Sequence, residues 1–223
     1  MPGRYRVRMP ETVQITYAQT RQPSAAAAGA AAAAATPPER LPDARLDWRN
    51  QGARYSLQMD GVLGRLASQG GSGDAGVRPE RGTEEREGAT LATEFADGEV
   101  RFSARGASVP DSLGIQDRAS VLMQLAGIGL GGPDQVQGRI AVVVAGAEDA
   151  AIEHYDVLGM ETLATQLGAI ETWHLAQRAA PGRARLEVWL APARGWLPLQ
   201  LRLTGADGAV ATQTASTISV PAN

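Results

Sequence analysis

The chain has 223 residues, of which 43% are apolar and 20% charged, with a formal net charge of −3. That apolar content is enough to build a core and excludes wholesale disorder, while the slightly acidic balance argues against nucleic acid as the main partner. The absence of cysteine excludes disulfides, zinc ribbons, iron–sulfur clusters and a thiol nucleophile; all 21 basic residues are arginine, so Schiff-base and P-loop chemistry, which need a lysine amine, are excluded too.

Residues 1–11 read as a loose N-terminal segment. Their basic stretch, Arg4 to Arg8, is followed by no apolar run, so the chain as given shows no export signal. No stretch is long and apolar enough to suggest an integral membrane helix, which needs about 18 such residues. Residues 12–220 read as one domain. Val13-Gln14-Ile15-Thr16-Tyr17 alternates apolar and polar, the pattern of a half-buried strand. Residues 21–42 are alanine- and proline-rich and are expected to form a disordered loop insertion.

Alternation then continues through Leu46 and Trp48, a turn at Asn50-Gln51-Gly52, and Tyr55, Leu57 and Met59. After Asp60-Gly61 a short strand is expected around Leu63 to Gln69, and Gly70 to Gly76 looks turn-like. Val77 to Glu87 is polar and reads as an exposed strand at most, with Glu84, Glu85 and Glu87 interleaved with Arg86 as a solvated charge run. Asp97-Gly98 between two alternating runs is a strong hairpin signal.

The periodicity changes once. Asp117 is a good helix cap, because its carboxylate can accept from the amides of the next turn. From Arg118 to Ile128 the apolar residues lie nearly all round a three-turn helix, which must therefore be buried on most sides. Glycines at 127, 129, 131 and 132 end it. Hairpin strands resume with Ile140, Val142 and Val144, and continue to Ile218. Short connections make successive strands antiparallel neighbours. The spacing predicts a mainly β fold of roughly ten strands, a wide curved meander sheet forming a partly open barrel wrapped around one central α-helix.

The segment Ile115-Gln116-Asp117-Arg118-Ala119-Ser120-Val121-Leu122, followed later by Arg185-Leu186-Glu187-Val188-Trp189-Leu190-Ala191-Pro192 and Trp196-Leu197-Pro198-Leu199, resembles the bacterial domain-of-unknown-function family 3108. Tyr5 to Tyr17 and Leu46-Asp47-Trp48 are similar to its first strands. The resemblance covers most of the chain from about Thr12, and the alanine insert departs from the family's short first hairpin. It implies an open half-barrel similar to the lipoprotein carriers LolA and LolB, a periplasmic or envelope-associated location with cytoplasmic as the alternative, and no established activity.

Several stretches have chemical readings that fail on context. Gly71-Ser72-Gly73-Asp74-Ala75-Gly76 and Gly127-Ile128-Gly129-Leu130-Gly131-Gly132 match a dinucleotide fingerprint by letters, but the first opens no helix and the second ends one. His154 and His174 are the only histidines. A turn at Gln166-Leu167 would place His174 opposite Gly159, so the two imidazoles do not converge and no metal site is expected. Ser120 is explained by first-turn helix chemistry, and no nucleophile motif surrounds it. No cofactor is implied.

The aromatic residues carry the ligand hypothesis. Trp173 and Trp189 lie in the C-terminal hairpins, and Trp189 should point away from the face shared by Leu186, Val188 and Leu190. With Leu122 and Met123 on the helix, they are the candidate wall of an apolar site, methionine being suited to adaptable contacts. The leading expectation is a non-enzymatic envelope protein binding an apolar or acyl ligand, or a lipidated partner such as a lipoprotein, between sheet and helix. The alternatives are a structural or assembly module that docks a protein partner, and a hydrolase.

Overall fold

The computed structural model describes residues 3–24 and 37–220. In the first strand Val13, Ile15 and Tyr17 are buried while Gln14 and Thr16 are half-buried, so the alternation read from the sequence has one face on a core. The first arm of the chain runs through β1 (Val13–Gln22), β2 (Glu39–Asn50), β3 (Arg54–Met59), β4 (Leu66–Gly73), β5 (Gly76–Arg86), β6 (Ala89–Ala96), β7 (Glu99–Phe102) and β8 (Ala107–Pro110). A two-residue strand, β9 (Gln116–Asp117), leads into the helix α1 (Ser120–Gly131). The second arm comprises β10 (Arg139–Ala145), β11 (Ala150–Thr165), β12 (Gly168–Gln177), β13 (Arg185–Ala191), β14 (Leu197–Thr204) and β15 (Val210–Ser219).

Among the described residues fifteen strands form one open sheet in the order β8 through β1, then β15 through β9. Each arm is an antiparallel meander, and pairing of β1 with β15 joins them. The exception is β9, which pairs parallel with β10 at Gln116–Val144 and Asp117–Ala145. The fold class is as expected, but fifteen strands stand where about ten were expected. The short strands β8 and β9 add to the count, and expected runs extend into glycine-rich and polar stretches. Backbone pairing needs no apolar alternation, so β4 runs through Gly70, Gly71 and Gly73, and β5 takes up the supposed charge run. In that run Glu84 is buried, not solvated.

Local turn chemistry accounts for the tight hairpins. Asp97 and Gly98 both take positive φ (56° and 76°), as do Glu87 and Gly88 (51° and 80°), the conformation that matches the twist of paired strands across a two-residue turn. Thr165 pairs with Gly168 across Gln166-Leu167, and His174 lies opposite Gly159.

The helix α1 lies in the concavity of this sheet, with Leu122, Met123, Leu125 and Ile128 fully buried. Burying each large apolar side chain contributes about 1.5–3 kcal/mol. Its three alternate glycines have a packing role. A Cβ at Gly127 would press on Val7, one at Gly129 would overlap the indole of Trp196, and one at Gly131 would meet the backbone of Arg6. The second fingerprint-like stretch is thus a groove that lets neighbours approach the helix closely.

That groove also explains a difference at the N-terminus. The segment expected to be loose is tied down over residues 3–8. Arg8 donates its amide to Gly127 O, Gly3 donates to Ala141 O, and Val7 is buried in the core. The expected loop insertion at 21–42 is also shorter than proposed. Residues 21–22 belong to β1 and 39–42 to β2, because Arg21 pairs with Glu39 and Gln19 with Leu41. The alanine tract itself, residues 25–36, lies outside the described residues.

Candidate functional site

The start of α1 carries a reciprocal set of hydrogen bonds. Asp117 Oδ1 accepts from the amides of Ala119 (2.9 Å) and Ser120 (2.8 Å), while Ser120 Oγ accepts from the amide of Asp117 (2.9 Å). The other carboxylate oxygen accepts from Ser68 Oγ on β4, and Ser68 is also hydrogen-bonded to Tyr55 OH at 2.7 Å. Asp117 is fully enclosed. Burial pushes its carboxyl up to about 6, against hydrogen bonds from Ser68, Ser120 and Ala119 that favour the anion. Ser68 meets a carboxylate and a phenol here, and no histidine takes part in the network.

The candidate ligand-binding residues are not brought together. Leu122 and Met123 have no exposed surface and pack into the main core. Trp173 sits across from Met160 and Leu190 and packs, half-buried, against that core. Trp189 lies on the other face of β13 from Val188, as the alternation predicts, and shares it with Glu187 and their cross-strand partners Gln200 and Arg202. There its indole stacks on His174 (centroids 4.0 Å apart), carries the Arg202 guanidinium at 4.9 Å, and donates Nε1–H to Glu161. The separation of the candidate residues has a physical reason in the packing of α1. A helix apolar on all sides and grooved by glycines is filled in from every direction, so no wall remains between it and the sheet for these four residues to share.

His174 is held in a polar clasp, with Nε2 3.2 Å from Glu187 and Nδ1 3.4 Å from Glu161. Burial lowers its pKa below the usual histidine value, and the two carboxylates oppose that shift in part.

The open space lies elsewhere, at the seam where the two sheet arms approach without pairing. A cleft of about 700 Å3 is bordered by Arg4 and Tyr5, by Val77 and Arg78, by Leu113 and Ile115, by Ala141 and Val142, and by Gln124 from the helix. β5 pairs with β6 only from Arg81 to Arg86, which leaves Gly76 to Glu80 without a strand on that side. Side chains take the strand's place at Val77, whose amide donates to Gln124 Oε1 (3.2 Å) and whose carbonyl accepts from Gln116 Nε2 (3.0 Å). Gly76 (φ 96°) is required there, since a Cβ would displace the Gln124 amide. On the facing wall, Ala141 of β10 is bound by Gly3 through its carbonyl and by Tyr5 OH through its amide. Leu113 stands 88% exposed at the rim.

None of this was legible in the sequence, because the cleft joins segments far apart in the chain. The only local signal was an apolar pair, Leu113 and Ile115, just before the helix.

A second recess of about 510 Å3 opens beside the first turn of α1, next to Val121, Tyr155 and Leu186. Its arginines are largely held by carboxylates: Arg86 and Arg105 by Glu148, and Arg118 by Glu84.

No protein-family model matches the chain, and no curated protein matches it. The resemblance to family 3108 is therefore not shown. Among solved structures, the chain is similar to a β-barrel-like protein of domain of unknown function DUF1849 from Brucella abortus, with TM-score 0.58, 9% identity and coverage of 97% of this chain and 100% of that one. It also matches a chain of the Pseudomonas aeruginosa MucA/MucB complex (TM-score 0.35, 14% identity, 95% of this chain and 53% of that one) and a protein of YmcC-like fold from Bacteroides fragilis (TM-score 0.33, 9% identity, 97% and 100%). Only the first of these likenesses is strong enough to bear on the fold. Among the described residues no helix is long and apolar enough to cross a membrane. The chain has the β-barrel-like fold of bacterial proteins whose function is not known.

Proposed function

We propose that this is a non-enzymatic binding protein of the bacterial envelope that accepts an apolar chain in the seam cleft. The observation that carries the reading is the cleft itself. Its volume of about 700 Å3 falls within the range of small-molecule sites, roughly 300–1,000 Å3. Tyr5, Val77, Ile115 and Val142 supply apolar wall, and Leu113 stands uncovered at the entrance. Entry there needs no displacement of the helix from its core. The envelope location is part of the proposal and is what the sequence resemblance implies.

Titration of the purified protein with a fluorescent acyl probe tests this. Saturable binding at a single site is expected, weakened by Leu113→Asp, a change at a position too exposed to affect folding. Absence of saturation, or indifference to the substitution, would count against the reading.

A further inference from the structure

We infer that the ligand of the seam cleft is a single-chain amphiphile with an anionic head, carboxylate or phosphate, recognised by Arg4 and Arg78. This rests on the cleft being a site for an apolar chain, and adds the chemistry of the head.

Most arginines in this chain are tied to carboxylates, among them Arg54 with Glu80, Arg81 with Glu94 and Arg139 with Asp156. Arg4 and Arg78 border the cleft, both are exposed, and neither has an ion-pair partner among the described residues. Among the described residues, the one carboxylate that shares the cleft with them is Asp111. The rim therefore carries an excess of one positive charge around a mainly apolar wall.

Both cations stand on fixed backbone. Arg4 lies between Gly3 and Tyr5, and each of these is hydrogen-bonded to Ala141. Arg78 follows Val77, whose amide and carbonyl are both held by buried glutamines. An arginine on a pinned backbone loses less freedom on binding than one on a free loop. Its planar donor fork suits a carboxylate or a phosphate equally. The apolar tail would lie along Val77, Ile115 and Val142, with the head at the rim, where water reaches its remaining oxygens.

The test compares oleate, 1-oleoyl lysophosphatidic acid and oleyl alcohol, which share one chain and differ in the head. Equilibrium binding of each is measured to the full chain and to Arg4→Gln, Arg78→Gln and the double variant. An anion preference of about tenfold over the alcohol is expected, the order supplied by a hydrogen bond to a charged group. The double variant should lose that preference while binding the alcohol as before. The preference should also shrink at high salt, since the rim is exposed. Tighter binding of the lysophosphatidic acid marks a phosphate head, and tighter binding of oleate a carboxylate. Equal binding of anions and alcohol, or a preference that survives in the double variant, overturns the charge assignment while leaving the apolar site standing. Failure of all three ligands to bind overturns both.

Discussion

Ser68 of β4 donates its hydroxyl proton to Asp117 of β9, so two parts of the sheet that never pair as strands are joined through side chains. Gly82 of β5 belongs to the same contact, since a Cβ there would press on the Asp117 side chain. Further along the seam Thr93 Oγ1 donates to Gly146 O at 2.8 Å. The two arms of the open sheet are thus joined across the seam by side-chain contacts instead of strand pairing, and they stand apart where the cleft lies.

The buried carboxyl at this closure predicts a pH dependence. Its folded-state value of about 6 lies above the ordinary aspartate value of about 3.9, so the folded chain holds the proton more tightly than the unfolded one. The resulting stabilisation is fully present below about pH 4 and is lost as pH rises through about 6, on the order of 3 kcal/mol in all. Asp117→Asn keeps an oxygen for the amides of Ala119 and Ser120 but does not titrate. Urea midpoints measured between about pH 4 and pH 7 should fall for the parent chain relative to this variant. Parallel curves would show that Asp117 titrates normally.

Met123→Ala should separate core from site. Removing a fully buried methionine costs about 2–5 kcal/mol through lost burial and the cavity left behind. Met123 does not border the seam cleft, so the affinity for an acyl probe should hold at temperatures where the variant stays folded. A selective loss of binding with little loss of stability would return the ligand to the space between helix and sheet.

Gly129→Ala places a methyl against the Trp196 ring. Alanine is better in a helix by about 1 kcal/mol, yet overpacking of this kind costs about 1–3 kcal/mol. A net decrease in the urea midpoint is expected, and a gain would mean that Trp196 moves freely. Combining the change with Trp196→Phe should be less than additive, because the two residues touch.

Glu148→Ala tests whether surface charges contribute to the closure. Glu148 bridges Arg86 (3.4 Å) and Arg105 (2.7 Å), and all three side chains are more than 40% exposed. Exposed pairs are screened and pay side-chain entropy, so the loss should stay below about 1 kcal/mol. Thermal denaturation at low and high salt would reveal a larger role.

Much of the strand pattern could be read locally. Val13, Ile15 and Tyr17, or Ile140, Val142 and Val144, show their core face through alternation alone, and Asp97-Gly98 announces its turn through the conformations glycine and aspartate tolerate. The extension of β4 through Gly70 and the burial within β5 were not legible, because glycine and charge mask buried positions such as Gly70 and Glu84. The candidate site residues stand apart for a different reason. Trp189 was rightly set on the face away from Val188, yet its companions there are His174, Glu161 and Arg202, not helix residues.

What the amino-acid order determined by itself is a mainly β chain with one helix too apolar to stand in water, since periodicity and turn chemistry act over a few residues. Where that helix leaves room was decided only in three dimensions. Ser68 meets Asp117 across 49 residues of chain, and Tyr5 meets Ala141 across 136. The position of the cleft depends on where β6 stops pairing with β5 and on how the two arms meet at the seam, a consequence of accumulated twist and of a few side-chain contacts that no local pattern encodes.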